Sequence, residues 1–368
     1  MRPNDEGSGR VQAPRRREDE QSPLLAAPGA VPADPAGPDA GVAAHYGNPF
    51  AEQRALDHSL GLVDRSHRGV IRITGPDRLS WLHSLTTQHL EHLPAGTTAE
   101  ALILSPNGHI EHHLVLTDDG THLWAHVEPG TAGSLAEFLE SMRFMLRVEP
   151  ADVTGEFAVL TVMGPEAGGA TAADDAVVAA TRAFGTDLIV RREQLAAVAA
   201  RLQQRGAVLA GVWAYEALRI ASHRPRFGLD TDHRTIPHEV GWIETAVHLS
   251  KGCYRGQETV ARVHNLGHPP RRLVFLHLDG SEDRLPAHGD PVSLADGGAD
   301  IGFVGSAARH YELGPIALAL VKRTVPVEAT LLAAGLPATQ EVIVPPDAGA
   351  NVTVTLRRGP GSLIRSRE

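Results

Sequence analysis

Strand-like and helical segments follow one another irregularly along this chain of 368 residues. Residues 69–75 alternate as a strand, and a helical pattern follows in which Leu79, Leu82 and Leu85 share one face. Residues 101–116 form two strand-like runs around Ser-Pro-Asn-Gly, which is typical of a hairpin turn. Because strands and helices do not alternate strictly, we expect an α+β fold rather than a doubly wound parallel sheet.

Three regions that differ in composition and sequence pattern predict the domain organisation. After Arg271 the chain consists of short apolar runs separated by glycine and proline, which predicts a small β-barrel over residues 271–360. Residues 41–270 are expected to form the α+β region, as two subdomains with a connector near residues 166–180. Residues 1–40 are rich in proline and lack aromatic side chains, so we predict that they are disordered.

The bulk composition excludes several classes of function. The apolar fraction of 42% and the charged fraction of 21% are those of an ordinary globular protein. A formal net charge of −10 argues against a nucleic-acid-binding protein, and no apolar run approaches the length of a membrane span. A single cysteine cannot form an internal disulfide. We therefore predict a cytoplasmic protein that binds neither nucleic acid nor membranes.

The only cysteine, Cys253, lies in the stretch Lys-Gly-Cys-Tyr-Arg-Gly-Gln-Glu at residues 251–258. In an extended segment, Lys251 and Cys253 leave the same face, so the ammonium group would favour the thiolate. The residues after Gly256 have a helical pattern, and the dipole at a helix N-terminus would favour the thiolate as well. These features predict a reactive, accessible thiol; a buried and inert cysteine is the alternative.

The neighbouring side chains allow more than one interpretation. Gln257 and Glu258 suit either the first turn of a helix or hydrogen bonding to a polar heterocycle. Tyr254 suits either stacking on a ligand or filling the core. Cys253 and two later histidines have a spacing superficially like that of a zinc site, but such a site needs four ligands, so we expect no metal.

The stretch 251–258 closely resembles the K-G-C-Y-x-G-Q-E signature of the YgfZ-type folate-binding proteins. These proteins belong to the superfamily of the glycine-cleavage T-protein, an aminomethyltransferase. The resemblance covers roughly residues 45–350 and includes the hairpin at 104–116 and the barrel run at 301–323. It implies three subdomains in a ring around a central cavity that holds tetrahydrofolate or a folate derivative. It also implies a role in assembling or repairing iron–sulfur clusters.

By motif position, the resemblance implies functional roles for six residues. Cys253 and Lys251 are the candidate catalytic residues. The candidate folate-binding residues of the motif are Tyr254, Gly256, Gln257 and Glu258.

Two departures from the T-protein pattern bear on the activity. In the T-protein the hairpin carries an aspartate that interacts with the reactive part of folate, and the corresponding place here is His112, with His113 beside it. His112 is therefore a further candidate folate contact, but a histidine does not reproduce the fixed negative charge of a carboxylate. A glycine expected between Ile220 and Pro225 is also missing, which predicts a different local turn.

These features favour a tetrahydrofolate-binding accessory protein for iron–sulfur cluster assembly or repair. Folate and iron–sulfur client or assembly proteins are the expected partners. Whether the chain turns over as an enzyme stays open. A folate-dependent aminomethyl or one-carbon transferase is the first alternative, and a folate-binding regulatory module without chemistry is the second.

Overall fold

Two five-stranded sheets, a closed six-stranded barrel and a two-stranded ribbon form the framework of the protein. The computed structural model describes residues 21–170 and 176–351. The combination is a mixed α+β fold with a C-terminal β-barrel, as the sequence predicts. None of the helices in this described part of the chain has both the length and the apolar character needed to span a bilayer.

The N-terminal segment enters the fold earlier than the sequence predicts. Its elements are a 3₁₀ turn at Pro23–Ala26, β1 (Val31–Pro32), β2 (Ala43–His45), α1 (Pro49–His58) and β3 (Gly61–Asp64). Leu24 is buried in the core around the sheet that contains β3, and the Asp39 carboxylate lies 2.8 Å from Arg226. The predicted disorder is therefore wrong for residues 21–40, because a few specific contacts anchor a segment whose average composition is polar. Residues 1–20 lie outside the described residues.

The first lobe is one continuous stretch of chain. Its elements are β4 (Gly69–Thr74), α2 (Arg78–Leu85), β5 (Thr98–Leu104), β6 (Ile110–Asp118), β7 (His122–Val127), α3 (Ala132–Ser141) and β8 (Glu149–Asp152), with sheet order β5-β6-β7-β4-β8. The two helices cover one face, where Leu82, Leu114 and Leu135 are fully buried. Gly108 turns the β5–β6 hairpin with a φ of +82°, as its Asn-Gly signal predicts.

The second lobe is assembled from separated stretches of chain. Its later elements are β9 (Phe157–Met163), α4 (Ala167–Ala170), β10 (Val178–Arg182), β11 (Gly185–Arg191), α5 (Leu195–Gln204) and β12 (Val208–Ala210), with sheet order β10-β11-β9-β3-β12. Strand β3 precedes the first lobe in sequence and yet lies between β9 and β12. The described parts of the predicted connector, residues 166–170 and 176–180, therefore lie inside the second lobe. The chain passes between the lobes at residues 65–68 and 153–156 instead.

The segment between the second lobe and the barrel holds the turns that later form the site. Its elements are α6 (Val212–Ala221), a 3₁₀ turn at Pro237–Val240, α7 (Trp242–Thr245) and α8 (Gln257–Leu266). After α6, His223 adopts a φ of +56°, a conformation that glycine adopts most easily. The turn is thus made without the glycine that the sequence lacks, at the cost of a strained histidine.

The barrel closes through pairing of its first and last strands. Its strands are β13 (Arg271–Leu278), β14 (Pro291–Leu294), β15 (Gly302–His310), β16 (Gly314–Lys322), β17 (Leu331–Ala333) and β18 (Leu336–Val342). Residues 343–351 then return to α8, where the Asn351 amide donates to the His264 carbonyl at 3.0 Å. The predicted barrel is confirmed, although the end of its predicted range, 352–360, lies outside the described residues.

Candidate functional site

A cavity of about 880 Å³ lies where the two sheets, the segment from α6 to α8 and the C-terminal segment meet. Cavities of this size hold drug-sized ligands and cofactors. The strands of the described barrel stand outside the cavity wall, and the chain that follows β18 contributes Ile343, Val344 and Asn351 to it. The barrel thus supports the site without lining it.

Six arginines, which we call the arginine cluster, line part of this wall: Arg65, Arg68, Arg182, Arg219, Arg224 and Arg226. Glu128 accepts hydrogen bonds from Arg226 at 2.7 Å and from Arg68 at 2.5 Å. Asp187, which is fully buried, accepts one from Arg182 at 2.6 Å. Burial raises the pKa of both carboxyl groups, but the neighbouring positive charges lower it by more, so the pKa of each lies well below its ordinary value. The cluster is therefore held in place by fixed charges.

Glu100 and His113 bring a carboxylate and an imidazole together in the wall. Nε2 of His113 lies 3.1 Å from the Glu100 carboxylate, and the ring stacks on Trp242 with centroids 4.5 Å apart. Arg224 and Arg182 donate to the same carboxylate at 3.0 and 3.2 Å. Burial raises the pKa of Glu100, but the His113 hydrogen bond and the nearby positive charges bring it well below its ordinary value. Glu100 is thus a permanent negative charge in the cavity wall.

The sequence analysis did not identify Glu100 as a site residue, although the pairing of the hairpin strands contains a signal for it. Strand β5 is antiparallel to β6, and Leu102 lies opposite His113. Because alternate residues of a strand share one face, Glu100 lies on the face of Leu102 and therefore beside His113. The hairpin register alone could have paired the two side chains.

His112 lies on the opposite face of β6, with its ring 6.4 Å from that of Phe138 on α3. Burial lowers its pKa to about 4, so the ring is neutral at pH 7. Of the two neighbouring histidines, the described cavity wall includes His113 only. The folate contact expected at His112 stays a prediction, and the cavity is lined by its neighbour His113 because adjacent residues of a strand face opposite sides.

The ammonium group of Lys251 is bound by backbone carbonyls, whereas the sequence pattern predicts that it lies beside the thiol. Its side chain is buried, and Nζ donates to the backbone carbonyls of His83, Thr86 and Gln88 at the end of α2. Burial lowers the pKa of the ammonium group to about 8. Cys253 is exposed, so the two side chains leave the segment in different directions. Lys251 caps a helix of the first lobe.

The four predicted folate contacts of the motif also lie outside the described wall of the cavity. Tyr254 is buried in the core shared by the hairpin and the barrel, and burial raises its pKa to about 12. Gly256 has a φ of +82°, and a Cβ there would lie 2.5 Å from the Ser105 carbonyl. Gln257 donates to the Lys251 carbonyl at 3.3 Å, and Glu258 is exposed. The motif therefore docks the start of α8 onto the first lobe.

Cys253 lies three residues after the wall of the cavity. It is free and exposed, and it follows the exposed wall residues Leu249 and Ser250. Three residues of chain span at most about 11 Å, which limits the distance between the thiol and this part of the wall. Exposure agrees with an accessible thiol, while its reactivity stays a prediction. Within residues 21–170 and 176–351, no group of three or more His, Cys, Asp or Glu side chains is placed to hold a metal ion.

The fold and the cavity define a three-lobed α+β protein whose polar site is assembled from several segments of one chain. Comparisons show which known proteins the chain is similar to. Residues 45–178 match the family model of the GCVT N-terminal domain. The fold is similar to that of the glycine cleavage system aminomethyltransferase T from Bartonella henselae, with a TM-score of 0.69 at 18% identity over 83% of this chain and 91% of that chain.

Two curated relatives agree with this class. An aminomethyltransferase of Rubrobacter xylanophilus is 29% identical over 73% of this chain and 77% of its own length. A putative chloroplastic transferase of Arabidopsis thaliana is 26% identical over 66% of this chain, and the alignment spans 62% of that relative. Together with the domain match and the fold, these relatives support the T-protein superfamily. The YgfZ-type branch and the cytoplasmic location stay predictions.

Proposed function

We propose that this chain binds tetrahydrofolate in the central cavity and acts as an accessory protein in iron–sulfur cluster assembly or repair. The observation that carries folate binding is the cavity wall itself, which combines fixed charges, a stacked aromatic pair and unpaired polar atoms. The GCVT domain match and the aminomethyltransferase relatives support the same ligand class.

The side chains of the wall fit a reduced folate. The arginine cluster suits the carboxylates of the glutamate moiety, and Arg224 is its most exposed member, with 30% of its side chain accessible. His113, Trp242 and Glu100 offer a flat ring surface and a fixed acceptor for a heterocycle that carries N–H groups. When bound, tetrahydrofolate would supply a reduced pterin that can carry one-carbon groups.

The proposed role of Cys253 rests on its exposed position three residues from the cavity wall and on the resemblance of its motif. An exposed thiol there can meet a protein-bound substrate that does not enter the cavity. The chain has a single cysteine, whereas a conventional cluster site uses four thiolates. An iron–sulfur cluster is therefore a substrate of the proposed activity, and a client or assembly protein supplies its remaining ligands.

Two measurements test the proposal together. Purified wild type and Cys253→Ala are titrated with tetrahydrofolate, and the same genes are used to complement cells that lack the protein. Iron–sulfur enzyme activity is then read under oxidative stress. We expect both proteins to bind folate and only the wild type to restore activity. Full complementation by Cys253→Ala would leave a folate-binding regulatory module without chemistry as the better description.

Glu100 favours a second candidate function, a folate-dependent aminomethyl or one-carbon transferase. It provides the negative charge in the cavity that the histidines of the hairpin do not. Glu100→Gln keeps the shape of the side chain and removes that charge. Transfer of a one-carbon group to or from tetrahydrofolate by the wild type, lost in Glu100→Gln but retained in Cys253→Ala, would favour the transferase.

A further inference from the structure

His238 is a buried histidine in the wall of the cavity without a hydrogen-bond partner. It lies in the 3₁₀ turn Pro237–Val240, and 3% of the residue is exposed. Neither Nδ1 nor Nε2 reaches a donor or acceptor of the described chain. Buried polar atoms in folded proteins are almost always paired with protein, water or ligand. Two unpaired nitrogens in a cavity wall therefore indicate that something else satisfies them.

The surroundings of His238 favour a ligand group over a single water. Apolar side chains that line the same cavity include Val240, in the same turn, and Val247 and Val344, which belong to the same buried cluster. A buried water needs two to four polar partners, and these apolar side chains offer none. A ligand group brings its own covalent framework and needs only one ring nitrogen as a partner.

A second imidazole completes this part of the wall. His264 on α8 lines the cavity, with its ring centroid 6.1 Å from that of His238. Asn351 holds it, with Nδ2 at 3.2 Å from Nδ1 of His264 and 2.8 Å from its carbonyl. We call the pair His238 and His264, with Asn351 behind, the histidine subsite.

The protonation state of His238 narrows the class of ligand group. Burial, and after it the electrostatic interaction with His264, lowers the pKa of His238 to about 4. The ring is therefore neutral at pH 7 and carries one N–H donor and one lone pair. A carboxylate or phosphate would satisfy the donor only. An amide can pair with either nitrogen, since its carbonyl oxygen accepts from the ring N–H and its own N–H donates to the lone pair.

We propose that the histidine subsite binds an uncharged amide-type group of the ligand through His238. This inference rests on the proposed folate binding, because tetrahydrofolate carries two such groups. One is the lactam of the pterin ring, and the other is the amide that joins the aminobenzoyl and glutamate moieties. Both groups offer a carbonyl oxygen and an N–H to the His238 ring. Because each group is present in a different fragment of tetrahydrofolate, the two can be tested separately.

The test measures binding of tetrahydrofolate, 6-methyltetrahydropterin and 4-aminobenzoyl-glutamate by calorimetry. His238→Leu removes both ring nitrogens, and we expect it to weaken binding of tetrahydrofolate at least about ten-fold. His238→Gln keeps a donor and an acceptor and is expected to lose less. The fragment whose affinity falls in His238→Leu identifies which amide is bound.

His310→Leu is the matched control, since it removes another buried histidine, on β15 and outside the described wall of the cavity. We expect its affinity to stay within about two-fold of the wild type, and thermal unfolding shows which variants are folded. If His238→Leu is folded and binds all three probes as the wild type does, the subsite proposal is wrong.

The imidazole signals of His238 in nitrogen-edited NMR spectra separate this failure from failure of the proposed function. If tetrahydrofolate does not bind the wild type but one of the two fragments shifts these signals, the subsite proposal is supported and the proposed folate binding is wrong. If no probe binds or shifts them, both proposals fall.

Discussion

Lys251 shows how a residue in a motif that suggests chemistry can serve the fold. Its ammonium group lies among three backbone carbonyls at and just after the end of α2, and the last-turn carbonyl of His83 is a group that a helix C-terminus leaves unpaired. A cation there also interacts favourably with the helix dipole. The side chain thus joins the segment before α8 to the first lobe.

Lys251→Met should therefore reduce stability more than it affects chemistry. The methionine fills similar space but leaves buried carbonyls unpaired, so we expect the free energy of unfolding to fall by about 2 kcal/mol. Urea denaturation followed by circular dichroism measures the change. Cys253→Ala, at an exposed position nearby, should change it by less than about 0.5 kcal/mol. Equal stabilities for the two variants would show that the carbonyl contacts of Lys251 contribute little.

The adjacent histidines of β6 provide a second prediction at this scale. His113→Leu removes the ring stacked on Trp242 and the hydrogen bond to Glu100, so we expect tetrahydrofolate to bind at least about ten-fold more weakly. His112→Leu changes the opposite face of the strand and should leave affinity within about two-fold. The same titration serves both variants. The reverse order of effects would mean that His112, as the sequence suggests, is the folate contact.

Among the elements, the β5–β6 hairpin and the start of α8 are locked together by two glycines. A Cβ at Gly256 would lie 2.5 Å from the Ser105 carbonyl, and one at Gly108 would lie 2.7 Å from Cβ of Thr259. Both glycines also have a φ of +82°. The close approach lets Tyr254 reach the core next to the hairpin.

Gly256→Ala should loosen this contact. Strain at positive φ and the clash with Ser105 together should reduce the free energy of unfolding by about 2 kcal/mol or more. Gly252→Ala is the matched control, because a Cβ there has no atom within 4 Å and the backbone does not have positive φ. Thermal unfolding compares the two variants. Similar unfolding midpoints would indicate that the hairpin accommodates the added methyl group with little loss of stability.

Sequence patterns predict elements whose signals are local. The hairpin follows from Ser-Pro-Asn-Gly, and the barrel from short runs between glycines and prolines after Arg271. The site does not follow in this way, because Glu100, Arg182 and His238 come from three distant stretches of chain. Their meeting depends on β3 pairing with β9, which no local pattern in the four residues of β3 reveals. Motif position leads to the neighbourhood of the cavity, but the motif residues are not among those that line its described wall.

In the whole molecule, buried ionisable groups should make stability depend on pH in two ranges. His112, His126 and His238 have their pKa lowered to about 4, chiefly by burial. Because the unfolded chain binds protons to these histidines near pH 6.5, stability should fall as pH decreases from about 6.5 to about 4. Each histidine should contribute roughly 1–3 kcal/mol to this loss.

A second range involves the carboxylates between the lobes, which are Asp39, Glu100, Glu128 and Asp187. Burial raises their pKa, but hydrogen bonds and positive charges lower it below the ordinary value in each case. The stability that they add is therefore present above about pH 5 and is lost as pH falls further.

Urea midpoints measured from pH 8 to pH 3 test both ranges. His112→Leu should flatten the curve between about pH 6.5 and pH 4, and Asp39→Asn should flatten it below about pH 4. Unchanged slopes in both variants would show that these groups titrate alike in the folded and unfolded chains.

The placement of β3 beside β9 also bears on how the protein is made. The first lobe lies entirely between these two strands in sequence, so it is in effect a domain inserted into the second sheet. A ribosome adds roughly 5–20 residues per second, so β3 emerges seconds before its partner β9 exists. The first lobe can finish folding in that interval, while β3 waits as an exposed apolar strand. A chaperone that binds β3 on the nascent chain would therefore cover this strand until β9 and then β12 complete the sheet.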